Sequence, residues 1–389
     1  MNLNEPEHIR MLRSSLQRFV EEHMPRAEAA RWDRDNIFPR DVFDRLGDLG
    51  VMGLTVPEEY GGSGRDIFAT MVVIEELSRR SLAVSVPYIM AACYAGMNIL
   101  ECGSETQKRE LLPEVAAGRM LFAYGWSEPD IGADLASVRT TVVRDGDMLV
   151  INGHKRFCSG SEFCDYIYAL VRSGPADDRH NNLSFVLIPP TTAGVTISRI
   201  GTMGMKGAAT TDVSFDDVRV PADNLVGGSV SWNRGWQMLT GAGLDVEKLE
   251  VAAMGIGIAA SATDDAWDYA NQRRQFGKPI AHYQAIRHKL ADMHTRLLAA
   301  RLMMKNASRL ADQGVRCGIE TSMTKLFVTE TAKSIVLDSQ EVMGAYGYVK
   351  DFDVERYVRD VLLLPIIGGS SAVQRNNIAN WMGLGRDAS

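Results

Sequence analysis

The residues with the most chemical potential sit in the stretch Thr240 to Ile258, TGAGLDVEKLEVAAMGIGI. Asp245, Glu247 and Lys248 open an otherwise apolar, small-residue run that reads as the first turns of a long buried helix. A carboxylate with apolar neighbours can serve as a general base, because burial lifts its proton affinity toward neutrality. An acidic residue in an early helical turn is more commonly a partner of the helix dipole, and this stretch alone favours that plainer reading. Other groups capable of chemistry occur in four further runs. Tyr124–Pro129 reads YGWSEP, with Gly132-Ala133-Asp134 after it, and Asn152–Gly160 reads NGHKRFCSG. Arg273–Ile280 reads RRQFGKPI, with Tyr283-Gln284 after it. Met343–Tyr348 reads MGAYGY and leads to Val354–Asp360, VERYVRD. Taken singly, these are a loop, a hairpin with a core Phe, a surface Arg pair and a structural ion-pair cluster. A guanidinium fork also matches phosphate geometry, and glycines let backbone approach a ligand closely.

The elements that would hold these residues fall into three regions, 1–120, 121–228 and 229–389. Apolar residues at helical spacing mark His8–Glu22 (Ile9, Leu12, Leu16, Phe19, Val20). Arg40–Leu49, a helix after Asp66 to about Arg80, the apolar Leu82–Cys102 and Glu105–Ala117 continue the helical region. From Arg139 to Val220 the period shortens to two. Strands are expected at Thr140–Arg144, Met148–Ile151, Tyr166–Arg172, Leu183–Ile188, Val195–Ile200 and Thr211–Phe215, with Asp145-Gly146 and Asn152-Gly153 as turns. That spacing predicts a small antiparallel barrel or sandwich. After Pro221 helices return. Ile286, Leu290, Met293, Leu297, Ala300 and Met304 form a seam suited to bundle packing, and helices follow over Ser322–Val342, Asp353–Leu364 and Ser371–Trp381. The fold class is α+β, arranged as α, then β, then α.

Bulk properties remove several classes. A net charge of −7 is a poor basis for nucleic-acid binding. The five cysteines are scattered and odd in number, and there is no CxxC or HExxH, so neither a disulfide framework nor a metal site is indicated. The N-terminus lacks the apolar block of a signal peptide, and Ser85, Pro87, Gly96 and Asn98 mark Leu82–Leu100 as buried core instead of a membrane span. A reducing, cytoplasmic compartment is expected.

In this order, the motifs resemble those of the acyl-CoA dehydrogenase family of flavoproteins over nearly the whole chain. The likeness implies an N-terminal helical domain, a middle β domain, a C-terminal four-helix bundle and FAD. YGWSEP…GAD is similar to the family's (T/S)EPxxGSD, which implies that the Ser127 hydroxyl bonds the flavin edge, with Tyr124 and Trp126 beside it. Ala133 stands where the family has Ser at the substrate. NGHKRFCSG is similar to NGxKxWITNG, with Phe157 replacing the Trp that packs on the flavin and Ser159 the Thr that meets its N5. RRQFGKPI…YQ is similar to RxxFGxxIxxxQ. This implies that Arg273, Gln275, Phe276 and Gln284 reach the FAD of a neighbouring subunit, hence a homo-oligomer, expected to be a tetramer. Glu341, Gly344 and Ser370 are further FAD residues by the same likeness.

One departure matters. Where many members carry EGT, with Glu as catalytic base, this chain reads Ile366-Ile367-Gly368-Gly369-Ser370-Ser371. A minority, including isovaleryl-CoA dehydrogenases, instead carries the base in an LDxER segment, which Leu244–Lys248 resembles. Glu247 is thereby the implied base and reverses the plainer reading of its helix. Asp245, Lys248, Gly368, Ala133, Tyr88 and Met90 are the implied substrate contacts, with the Gly368 N–H as donor to the thioester oxygen. The implied reaction is α,β-dehydrogenation of an acyl-CoA, short or branched, with an electron-transfer flavoprotein as acceptor. Alternatives are a reductase like crotonobetainyl-CoA reductase, a dehydrogenase of a carrier-tethered acyl or aminoacyl group, and a non-catalytic partner subunit.

Overall fold

The computed structural model describes residues 5–385. The outermost residues of the first and last regions, 1–4 and 386–389, and the side chains of residues 242–244, including Leu244, lie outside that description. Seven helices come first: α1 Glu7–His23, α2 Arg26–Asp35, α3 Arg40–Asp48, α4 Ile67–Ser78, α5 Leu82–Ile89, α6 Asn98–Cys102 and α7 Glu105–Ala116. Their starts are chemically marked. Asp66 accepts from Ala69 N–H (2.7 Å), Ser81 accepts from Ala83 N–H, and Ser104 with Gln107 forms a reciprocal capping box. Helix α2 has no marker visible in the sequence: it is mostly charged, and only Ala29 and Trp32 are buried. Between α5 and α6 the helix widens into a π-helix over Met90–Met97, just after Pro87 removes a backbone donor inside α5. The stretch Leu82–Cys102 is apolar and long enough to span a bilayer, yet 89% of its most apolar window is buried inside the protein.

The middle region forms one curled sheet. Its strands are β1 Phe122–Gly125, β2 Thr141–Asp145, β3 Met148–Arg156, β4 Tyr166–Arg172, β5 Leu183–Ile188, β6 Val195–Arg199 and β7 Thr211–Pro221, in the order β1-β4-β2-β3-β7-β6 with β5 on β4. The expected antiparallel pattern is corrected at two places: β1 pairs with β4 in parallel, Phe122 opposite Tyr166, and β2 meets β4 in parallel, Thr141 opposite Arg172. The expected turn at Asn152-Gly153 is also corrected, because both residues lie inside β3 at a bulge. Gly153 adopts φ 148°, and a Cβ there would meet Thr140 Oγ1 at 2.5 Å, so the glycine serves close strand packing instead of chain reversal.

The chain then returns to helices: α8 Gly235–Leu239, α9 Ala242–Gln272, α10 Gln284–Asp312, α11 Gly318–Met343, α12 Val354–Val361 and α13 Ser371–Trp381. A small ribbon, β8 Arg274–Gln275 and β9 Lys278–Pro279, joins α9 to α10. The seam on α10 is buried at Leu290, Met293, Leu297, Ala300 and Met304. Helix α9 is the axis of the molecule. Gly257 lets it press on α4, where a Cβ would come within 2.3 Å of Glu75 O. Beside that crossing, Glu75 is buried between Arg301 of α10 (2.6 Å) and Arg13 of α1 (3.2 Å), which ties the two helical regions together.

Candidate active site

Glu247 lies two turns into α9 and keeps part of its surface accessible. The protein packed around it removes enough water to push its carboxyl up to about 7, although the positive charges of Lys248 and Lys325 pull the other way. One turn further on the same face, Val251 meets the Gly368 loop. Gly368 sits at φ 59°, and a Cβ there would be 2.8 Å from Val251 Cγ2, so glycine is demanded by both conformation and space. Among the described residues the Gly368 N–H has no hydrogen-bond acceptor. The loop is fixed from below. Lys325, fully buried on α11, donates to Gly369 O (2.9 Å), and Gln374 donates to the carbonyls of Gly368 and Gly369. Burial pulls Lys325 down to about 8, opposed by Glu330 and Glu247.

The π-helix faces this pair. Tyr94 stacks on Tyr124 of β1 (centroids 3.6 Å apart), which stacks on Trp126 (4.0 Å). Asn98 donates to the Tyr124 hydroxyl (2.6 Å) and to Tyr94 O (2.9 Å), which locks the stack. Burial, and then the charges of Glu247 and Glu250, hold both phenols well above their usual range. Met90 is fully buried and packs beneath Gly160, at the end of the second motif. Tyr88 is fully buried and donates to Val51 O (3.0 Å).

Two motifs form the wall beyond Trp126. Arg156 N–H donates to Ser127 O (2.9 Å), joining them edge to edge. Beneath them, the fully buried Lys155 ammonium contacts the Glu128 carboxylate (2.8 Å), which also accepts from Arg139 and Thr140 N–H. Phe157 is held at φ 63° with its ring 58% exposed, and Ser159 Oγ lies 3.1 Å from Thr210 Oγ1. The indole N–H of Trp126 is buried without a partner. An exposed ring, two hydroxyl residues and an orphaned donor on one wall fit a planar heteroaromatic cofactor such as FAD.

Other candidates lie elsewhere. Asp245 and Lys248 pair with each other (2.7 Å), and the ammonium also stands over the Trp381 ring. Ala133 is exposed on a loop, and Ser370 caps α13 by accepting from Val373 N–H. Arg273 stands at the far end of α9, 26 residues from Glu247, which is about 39 Å of helix. Gln275 and Gln284 are exposed there, and Phe276 is 94% exposed at φ 49°. Glu341 pairs with Lys289 (2.6 Å), and Gly344 leaves open space around its α-carbon. Within one chain, this group and Glu247 do not share a site.

Three family models match nearly end to end: the acyl-CoA dehydrogenase N-terminal domain over residues 6–119, the middle domain over 123–218 and the C-terminal domain over 233–383. The chain belongs to the acyl-CoA dehydrogenase family. It is 36% identical to an acyl-CoA dehydrogenase of Bacillus subtilis (strain 168), across 96% of this chain and 97% of that one. It is 33% identical to the CarC subunit of the caffeyl-CoA reductase-Etf complex of Acetobacterium woodii, across 96% and 97%. The fold superposes on a glutaryl-coenzyme A dehydrogenase bound to glutaryl-CoA with a TM-score of 0.92 at 30% identity, covering 98% and 97%. Acyl-CoA dehydrogenases are FAD-dependent oxidoreductases acting on CH–CH groups, and FAD-dependent dehydrogenation of an acyl-CoA is this chain's activity.

Motif matching did not single out Glu250 or Lys325. Each is a charged residue inside an apolar helical stretch, a signal that periodicity alone would have exposed.

Proposed function

We propose that Glu247 is the base that removes the Cα proton of an acyl-CoA held between α9, the π-helix and the Gly368 loop. The observation that carries this reading is a carboxyl near neutrality beside an unengaged backbone donor, Gly368 N–H, on the loop that packs against Val251 one turn further along the same helix face. The thioester oxygen accepts from Gly368 N–H, so the negative charge that develops as the proton leaves is met by a fixed dipole. Lys325 and Gln374 keep that donor aimed without touching the substrate. The Tyr94–Tyr124–Trp126 stack excludes water, which preserves both the raised proton affinity of Glu247 and the strength of the donor. FAD, held by Trp126, Ser127, Phe157 and Ser159, supplies the acceptor for the hydride from Cβ. Arg273, Gln275, Phe276 and Gln284 serve the FAD of a neighbouring subunit, since they stand about 39 Å of helix from Glu247, and the assembly is a homo-oligomer, in our reading a tetramer. An electron-transfer flavoprotein is the acceptor, in keeping with the Etf complex of the Acetobacterium relative. A cytoplasmic location accompanies this reading.

The test is anaerobic mixing of the FAD-loaded protein and its Glu247→Gln variant with short and branched acyl-CoAs, followed by flavin absorbance. Bleaching in the parent and its loss in the variant, with FAD retained, is the expected result. Equal bleaching in both would remove Glu247 from the role. A second reading runs the reaction toward reduction of an enoyl-CoA. It is favoured by the relative named as a caffeyl-CoA reductase subunit and by a carboxyl near 7, which can return a proton as readily as it takes one. Bleaching by carrier-bound but not CoA esters would assign the tethered substrate class.

A further inference from the structure

Ser159 Oγ and Thr210 Oγ1 lie 3.1 Å apart on the wall that fits the cofactor. Ser159 is half-buried and Thr210 is 7% exposed, so the pair leads from the open face of that wall into the protein. Several other buried threonines spend their hydroxyl on a backbone carbonyl: Thr211 on Cys158 O (2.7 Å), Thr263 on Ala259 O (2.7 Å) and Thr329 on Lys325 O (2.9 Å). Thr210 does not. Among the described residues its hydroxyl has Ser159 as its one partner.

The two chain segments that meet here are held in register and under strain. Gly160 N–H donates to Ala209 O (3.1 Å) and Cys158 N–H to Thr211 O (2.9 Å), which brackets the hydroxyl pair with backbone bonds. Phe157, two residues before Ser159, sits at φ 63°, and Ala209, just before Thr210, at φ 45°. A residue with a Cβ takes that left-handed region only where its surroundings impose it, and such residues gather at functional sites. The loop that delivers Thr210 is pinned from two helices. Asp360 of α12 accepts from Met205 N–H (2.7 Å), and Asn36, at the end of α2, accepts from Gly207 N–H (2.7 Å).

Donor and acceptor follow from burial. A buried O–H without an acceptor costs more than an oxygen lone pair left empty. Thr210 has one such acceptor, so its proton goes to Ser159 Oγ. Ser159 then accepts on its inner side, and its own proton is left for the open face.

Resting on the reading that Ser159 faces the flavin, we propose that Thr210 is a positioning residue for the redox chemistry: its hydroxyl donates to that of Ser159 and holds the Ser159 proton toward the edge of the flavin ring. Hydrogen bonds in series polarise one another, so the outer bond is both aimed and strengthened. A flavin ring nitrogen accepts such a bond when oxidised and carries its own hydrogen when reduced, so the bond weighs the two redox states differently.

The test is the midpoint potential of bound FAD. It is measured anaerobically on the FAD-loaded oligomer by equilibration with a redox dye, without substrate, and with FAD content determined in each variant. Ser159→Ala and Thr210→Val are each expected to change the reduced-to-oxidised ratio at a fixed potential by about fivefold, which is about 20 mV for this two-electron couple, in the same direction. In the Ser159→Ala background Thr210→Val is expected to add nothing, because the hydroxyl it acts through is gone. Thr210→Ser, which keeps the hydroxyl, is expected to keep the parent potential. A shift in Ser159→Ala without one in Thr210→Val overturns the proposal and leaves Ser159 at the flavin. So does a Thr210→Val shift of undiminished size in the Ser159→Ala background. Thr210→Ala reads the same quantity if Thr210→Val does not hold FAD. No shift in Ser159→Ala removes the placement of Ser159 and this inference together, and none of these outcomes touches the Glu247 assignment.

Discussion

The pH dependence of catalysis offers the sharpest test of the Glu247 assignment. Its carboxyl is pushed up to about 7, and only the ionised form can take a proton. The value of kcat/KM should therefore rise through pH 7 and level off above it. One unit below the midpoint roughly one carboxyl in eleven is ionised, so activity at pH 6 should be about tenfold under the plateau. Two charges hold the midpoint down, those of Lys248 and Lys325. Lys325→Met removes one of them, and with it part of the attraction that favours the ionised carboxylate. The limb should accordingly move to higher pH in that variant. Glu247→Gln should lack the limb and lose about 10²–10⁴-fold in turnover. The assay is stopped-flow bleaching of enzyme-bound FAD from pH 5.5 to 8.5, with FAD content measured in each variant. A parent profile flat across that range, or a limb unmoved by Lys325→Met, would refute the reasoning.

Three further outcomes are expected. Because the folded-state affinity of Glu247 for its proton lies above the ordinary 4.5, the folded chain binds more protons than the unfolded chain between pH 4.5 and 7, and stability falls as pH rises through that window. Glu247→Gln escapes the penalty, so its melting temperature should exceed that of the parent at pH 8, by up to about 3 kcal/mol in stability, and converge toward it near pH 4.5; a lower melting temperature at pH 8 would count against a buried, strained carboxyl. Lys155→Met leaves the Glu128 carboxylate buried opposite an apolar chain, a loss of about 3–5 kcal/mol, and should weaken FAD retention measured by ultrafiltration, since that pair supports the Trp126–Ser127 and Phe157–Ser159 wall. Gly368→Ala forces a Cβ against Val251 and into a left-handed backbone. It should lower kcat about 10²-fold with FAD still bound, and an unchanged kcat would remove the Gly368 N–H from the reaction.

The sequence carried the helices and strands wherever one face is buried, because period and burial are the same fact seen twice. The seam on α10 and the alternation over Thr211–Phe215 in β7 follow from it. It failed where a local signal had two physical meanings. Asn152-Gly153 has the composition of a hairpin turn, but Gly153 is needed because Thr140 leaves no room for a side chain. Tyr88 and Tyr94 are both tyrosines of one apolar helix, and only the π-helical widening after Ile89 decides which of them leaves the core. Glu250 and Lys325 were hidden because motif comparison asks which residues match, whereas a buried charge declares itself by not matching its own neighbours.

Helix α9 has a consequence for how this enzyme can be broken and repaired. On the proposed assignments it carries the base of one site at its start and the clamp of another subunit's FAD at its end, about 39 Å away along one unbroken rod. Two damaged chains, one lacking Glu247 and one lacking Arg273, would then be able to mend each other. In a mixed oligomer, some sites draw the base from one parent and the clamp from the other. Co-expressed defective copies would regain part of the activity that neither has alone, so in a cell holding two such alleles the unit of inheritance that matters is the assembly, not the chain.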